Sequence, residues 1–140
     1  MRRVRRLLEL TATQRGTFLW SLALLPLAGA ALHWRGVAEA RALIARAAVA
    51  RRSDLAPSEA ARMVNAAASL LGVSCLTRSL VLWQLVRDRG ASIRFGIARA
   101  SGKRFAAHAW VELGGVPLND RPDVAERYAA LEGDVRGPGV

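Results

Sequence analysis

Three side chains in this sequence are of types that can break an acyl bond together. They are Cys75, His108 and Asp120, in that order, separated by 33 and 12 positions. Cys75 is the only cysteine. It follows Ser74, a residue type suited to cap a helix. A thiol in the first turn of a helix faces unpaired N–H groups and the positive end of the macrodipole, which favour its ionised form. His108 falls in FAAHAWVEL, a segment with strand-like alternation, and Asp120 comes shortly after Gly114-Gly115, a turn signal. The chemistry open to such a set is thiolate attack, with the imidazole as base and then acid and the carboxylate fixing its tautomer. The competing reading is structural: a lone cysteine as a small buried hydrophobe, and a strand histidine as a satisfied polar residue.

Whether the set can assemble turns on the glycine hairpin. A two-residue loop of Gly114-Gly115 would set Asp120 opposite Ala109, on the other face from His108. A three-residue loop of Leu113-Gly114-Gly115 would set Asp120 directly opposite His108, with Gly115 suited to the left-handed position that ends such loops. Opposed Cβ atoms lie about 4.5–5.5 Å apart, near enough for a carboxylate to orient an imidazole. Catalysis therefore calls for the longer loop.

The elements that must hold these residues divide the chain in two. Residues 1–70 read as helical. Arg2, Arg3, Arg5 and Arg6 precede a 15-residue apolar run from Phe18 to Leu32. A basic start, an apolar middle and Ala28-Gly29-Ala30 are shared with secretory signals. Against that, the run begins late, Pro26 and Gly29 interrupt it, and it falls short of the ~20 residues a spanning helix needs. Buried helices, with a break near Pro26, are the first reading, peripheral membrane contact the second, and a cleaved signal the third. Trp20, Trp34 and Trp83 are expected to be packing residues, and His33 is given no role.

Helical spacing continues from Val37 to Ala50, and Pro57 with Ser58-Glu59 marks a further helix start that should run to Gly72. Cys75 to Arg89 is the next helix, capped by Ser74 and ended by Gly90. It is apolar nearly all round, as a central helix is. Ile93, Phe95 and Ile97 then alternate with Ser92, Arg94 and Gly96; Ser101-Gly102 turns the chain, Phe105 to Leu113 alternates again, and Val116 to Leu118 makes a third short strand. A short helix is expected over Val124 to Leu131, followed by a frayed tail. Helices followed by an antiparallel meander give an α+β fold: N-terminal helices, then a central helix bearing Cys75 packed on a small antiparallel sheet.

Composition narrows the function classes. The chain has 140 residues, 52% of them hydrophobic and 23% charged, enough for one domain with its own core and too apolar for disorder. One cysteine and two histidines exclude a disulfide framework and a four-ligand Cys/His zinc site, so neither metal nor cofactor is expected. The net charge is +10, but 20 of the 21 basic residues are scattered arginines with no aromatic-interleaved stripe, so nucleic acid is not an expected partner.

The strings CLTRSLVLWQLVRDRG and IRFGIARASGKRFAAHAWVELGGVPLND closely resemble the stand-alone leader-peptidase (B-type) proteins of lasso peptide biosynthesis, which are transglutaminase-like, papain-related cysteine proteases. The shared pattern falls on Cys75-Leu76, Arg78, Gly96-Ile97, Ala107 to Glu112, Gly115 and Asp120, and covers roughly residues 60–120. Gly72-Val73-Ser74 departs from the aromatic or proline that many relatives carry before the cysteine, which leaves a second oxyanion donor unassigned. The resemblance implies a transglutaminase-like core over residues 57–125, between an N-terminal helical region (1–56) and a tail (126–140).

It also implies removal of a leader from a ribosomally made precursor by Cys75, His108 and Asp120; the expected location is the cytoplasm, with membrane association through the N-terminal helices left open. Trp110 and Glu112 share the strand face of His108, and Arg78 lies one turn from Cys75, so these three are the candidate substrate-binding residues. Trp110 serves equally as packing and Arg78 as half of a surface ion pair. The implied partners are the precursor peptide, an ATP-dependent lasso cyclase and, since this length leaves no room for a leader-recognition domain as well, a separate recognition protein. Acyl transfer from the same thioester to an amine, and a non-catalytic scaffold docking precursor and cyclase, are the alternative readings.

Overall fold

The computed structural model describes residues 5–6, 8–47, 54–98, 107–130 and 135–136. The expected turn at Ser101-Gly102 and the strand start at Phe105 lie outside the described residues. Helix α1 runs from Ala12 to Ala47, α2 from Pro57 to Leu71 and α3 from Cys75 to Val86. After a 3-10 turn, Arg87–Arg89, come strands β1 (Ser92–Ala98), β2 (Ala107–Leu113) and β3 (Val116–Pro117). A four-residue helix α4 (Val124–Arg127) leads into β4 (Tyr128–Ala130), and β5 covers Val135–Arg136. The result is an α+β fold, as expected.

Helix α1 begins inside the polar stretch before the apolar run. Thr11 and Gln14 form a reciprocal cap, Gln14 N–H donating to Thr11 Oγ1 (3.2 Å) and Thr11 N–H to Gln14 Oε1 (3.0 Å). The break is not near Pro26, through which the helix continues; it comes at Gly36, whose φ of 79° is left-handed. Pro26 lies on the exposed side, where water can meet the carbonyl that its missing N–H leaves free. Helix α2 starts at Pro57 and stops where Gly72 turns left-handed (φ 64°), its N–H closing on Ala68 O at 2.9 Å.

Helix α3 is the centre of the molecule. Thr77 and every residue from Ser79 to Val86 are buried, because α1 and α2 pack on one side and β2 on the other. One apolar core takes Phe18, Leu25, Ala28 and Ile44 from α1, Val64 and Ala67 from α2, Leu80 to Leu82 from α3, and Ile93, Ala109 and Val111 from the sheet. It runs without interruption across residue 56.

The sheet is antiparallel in the order β3-β2-β1-β4, with β5 also paired to β1. The segment expected as helix to Leu131 and then a frayed tail instead gives up its helix after Arg127 and adds strands to β1. Pairing of β1 with β2 sets Ile93 against Val111 and Phe95 against Ala109, so these four share the face turned to the helices. Arg94, Gly96, His108, Trp110 and Glu112 share the other face, and Tyr128 joins them through its pairing with Ala98.

Candidate active site

Cys75 is the first residue of α3. Ser74 caps the helix, its Oγ accepting from Thr77 N–H at 3.2 Å, and Arg78 N–H closes on Ser74 O at 3.1 Å. The N–H groups of Cys75 and Leu76 are then the first-turn donors with no acceptor inside the helix. The thiol is half-buried and free.

His108 stands near the start of β2 and pairs in register with Gly96. Its Nε2 contacts Asp120 Oδ2. An ionised carboxylate can only accept, so the ring proton sits on Nε2 and leaves Nδ1 as the basic nitrogen. The second carboxylate oxygen, Asp120 Oδ1, accepts from Arg121 N–H at 2.7 Å, which fixes the plane of the group. The imidazole keeps 22% of its side-chain surface open, so a reactant can reach it.

The route by which Asp120 arrives differs from the expected one. Pairing of Glu112 with Pro117 and Leu113 with Val116 makes the hairpin loop two residues long. Gly114 and Gly115 are both left-handed (φ 57° and 80°), the requirement of the tight turn that matches strand twist. Continued in that register, Asp120 would lie on the wrong face. Instead the ladder ends with Leu118 N–H on Val111 O (2.8 Å), and the chain bends away. Val111 N–H is taken over by the side chain of Asn119, through Oδ1 at 2.8 Å, and the bend delivers the next residue to the imidazole.

Asn119 does more than replace a strand. Its Nδ2 donates to Ser79 Oγ (3.1 Å), and Ser79 Oγ–H donates to Ala109 O (3.1 Å). Ser79 and Asn119 are both buried. A single chain of hydrogen bonds thus joins α3 one turn from Cys75, β2 next to His108, and the bend next to Asp120. Sequence reading passed over both residues, because a buried serine and a loop asparagine carry no spacing signal of their own. An LND string just past a glycine hairpin was the only available hint.

A third missed residue is Tyr128, whose ring stacks on that of His108 with centroids 4.7 Å apart and planes at 30°. Trp110 also stacks on His108, with centroids 6.0 Å apart, and lies tilted against Tyr128 at 6.3 Å. Gly96 makes this possible: a Cβ there would stand 2.7 Å from Tyr128 Cβ and 3.1 Å from the Trp110 ring.

The candidate substrate-binding residues separate. Trp110 is 1% exposed, which gives it the packing role. Glu112 accepts from Trp110 Nε1 (3.2 Å) and faces Arg94 Nε (3.9 Å), so its carboxylate holds the indole in place. Arg78 is half-buried on α3, and its Nε is buried without a hydrogen-bond partner among the described residues. The structure brings His108 and Asp120 together and sets Cys75 at the end of the helix braced to them. Among the described residues no hydrogen bond joins Cys75 to His108. Such contacts commonly tighten only when substrate is bound. No group of three or more metal-ligating side chains occurs among the described residues.

A family model described as the transglutaminase-like superfamily matches residues 19–133. No curated protein and no solved structure matches the chain. The matched range takes in most of α1 as well as the cysteine helix and the sheet.

Proposed function

Because the chain belongs to the transglutaminase-like superfamily, a group that uses cysteine for peptidase or acyl-transfer chemistry, we propose that it is a cysteine peptidase that removes the leader from a ribosomally made lasso precursor. The observation that carries this reading is the pairing of His108 Nε2 with Asp120, in a fold whose only cysteine opens the helix braced against the same strand. Cys75 Sγ attacks the carbonyl carbon at the leader–core junction. The charge that develops on the oxygen is met by the unpaired N–H groups of Cys75 and Leu76. The C–N bond breaks as His108, protonated on Nδ1, gives its proton to the departing core amine. Water then adds to the leader thioester, His108 taking its proton, and the thiol is released with a leader carboxylate. Asp120 stabilises the imidazolium and holds the ring throughout. The freed amine is what a separate ATP-dependent cyclase requires.

The test is incubation of the whole protein with the precursor and its recognition protein, reading the masses of leader and core. Cys75→Ala is expected to lower the cleavage rate by about 10⁴-fold or more, with the circular dichroism spectrum unchanged. Cleavage retained in that variant overturns the reading. A leader mass increased by an added amine, in place of free leader acid, would move the assignment to acyl transfer.

A further inference from the structure

Helix α1 breaks the usual rule for a surface helix. Its inner face is committed to the core through Phe18, Ser21, Leu25, Ala28 and Ala31, and Gly29 lies against Thr77 of α3. The outer face should then be polar. It is not: Leu19, Ala23, Pro26, Leu27, Ala30 and Trp34 are all exposed and fall on one stripe at steps of three, four and one. Leu19 is 56% exposed, Leu27 41% and Trp34 81%, so Trp34 is not the packing residue expected from its sequence surroundings. The stripe is about 22 Å long at the helical rise of 1.5 Å per residue. Arg15 stands at one end and Arg35 at the other, and no acidic residue occurs from Leu10 to Ala38.

We propose that this face of α1 rests on an anionic lipid surface, lying in the headgroup region parallel to the bilayer. The helix is long and apolar enough to cross a membrane by length and composition. Its inner face, however, is occupied by α2 and α3, so lipid can reach only the outer stripe. A strip of leucine and tryptophan flanked by arginines is the pattern of an interfacial helix, with the indole of Trp34 at headgroup level. Charge selects lipid over a second copy of the chain. Two such faces packed antiparallel would bring Arg15 of one toward Arg35 of the other, and packed parallel would bring like arginines together, with no carboxylate on the stripe to offset either. The first 38 residues carry six arginines against one glutamate, which an anionic surface complements.

The test is sedimentation of the full chain with vesicles of 30% phosphatidylglycerol in phosphatidylcholine and with phosphatidylcholine alone. The wild type is expected to sediment with the anionic vesicles, and the triple variant Leu19→Ser, Leu27→Ser, Trp34→Ser to lose at least about tenfold in partitioning. Its thermal melt should stay within a few degrees of wild type, since all three side chains are exposed. Failure of the wild type to sediment, or equal sedimentation with neutral vesicles, overturns the proposal. So does undiminished binding by the triple variant, which would reduce the contact to scattered arginine charge. A wild-type dimer that the triple variant turns into a monomer, without lipid binding by either, would assign the stripe to a second copy.

Discussion

Two regions of this molecule depart from the rule that polar groups face water and apolar groups face in, and they depart in opposite senses. At the junction of α3, β2 and the bend after β3, the polar side chains of Ser79 and Asn119 are buried. On the outer side of α1, leucine and tryptophan are exposed. The interior polar groups are matched, Ser79 with Ala109 O and Asn119, Asn119 with Val111 N–H, so burial costs them little and fixes their geometry. The exterior apolar groups leave 41% to 81% of their surface open. A buried polar cluster that is satisfied internally serves something inside the protein, here the alignment of a cysteine helix with a histidine strand. An exposed apolar stripe is satisfied only by something outside it.

The largest effect that sharpens this comparison lies at the edge of the interior cluster. Asp120→Asn removes the negative charge that stabilises the imidazolium and puts an amide, which can offer either its oxygen or its NH₂ to Nε2, where the carboxylate could only accept. Precursor cleavage should fall by roughly 10²- to 10³-fold, about ten- to a hundredfold less than for loss of the nucleophile, with little change in KM. Single-turnover rates measured by mass would show it. A variant with near-wild-type turnover would mean that the His108–Asp120 contact is structural.

Next is the brace itself. Asn119→Ala leaves Val111 N–H without its partner and Ser79 Oγ without its donor, both away from water, so stability should fall by about 1–3 kcal/mol in denaturant titration. Ser79→Ala should cost less, because Ala109 O is an acceptor and tolerates the loss better than a buried N–H does. Since the two residues share one hydrogen bond, their effects should not add, and a double-mutant cycle would read the coupling. If the effects are additive and below about 0.5 kcal/mol each, the network does not brace the site.

How much of this was legible in the sequence follows the range of the interactions involved. Helices α2 and α3 were readable to within a turn, because Pro57, Gly72, Ser74 and Gly90 act on their own backbone. The identity of His108 and Asp120 as partners was readable as well. Their register was not: the hairpin closes with two residues, and only the displacement of the ladder by an asparagine side chain brings Asp120 round. That displacement depends on Ser79, 40 positions earlier, which no local pattern can report. The cap at Thr11 and Gln14 is written in the sequence as a T-x-x-Q string, whose polar residues read equally as a loop until the helix they begin is seen. Tyr128 was illegible for the same reason as Asn119, since its place beside His108 exists only once β4 pairs with β1.

A similar loss of stability with a different cause is expected at Gly96. An alanine there would push its Cβ into Tyr128 Cβ at 2.7 Å and crowd Ala129 O and the Trp110 ring at 3.1 Å. The sheet must shift or Tyr128 must leave His108, at about 1–3 kcal/mol. Because His108 stacks on Tyr128, turnover should fall more than unfolding alone accounts for when both are measured at a temperature where the variant is folded. A Tyr128→Phe, Gly96→Ala pair would not relieve the clash, since the contact is at Cβ. A Tyr128→Gly, Gly96→Ala pair should restore part of the stability.

The smallest effect belongs to the other region, and its smallness is the point. Trp34→Ser removes the largest side chain on the stripe, yet Trp34 is 81% exposed and its one ring neighbour among the described residues is His33, at 5.1 Å. Stability in the absence of lipid should change by no more than about 0.5 kcal/mol, and cleavage of a soluble precursor should be unaltered. A core tryptophan behaves otherwise: Trp83 is 2% exposed, donates its Nε1–H to Ala91 O at 3.1 Å and lies under the guanidinium of Arg41. Its removal is expected to cost about 3–5 kcal/mol. A loss of more than about 1 kcal/mol at Trp34 would show that the stripe is part of the folded core after all, and the contrast between a satisfied interior and an unsatisfied exterior would fail at its outer end.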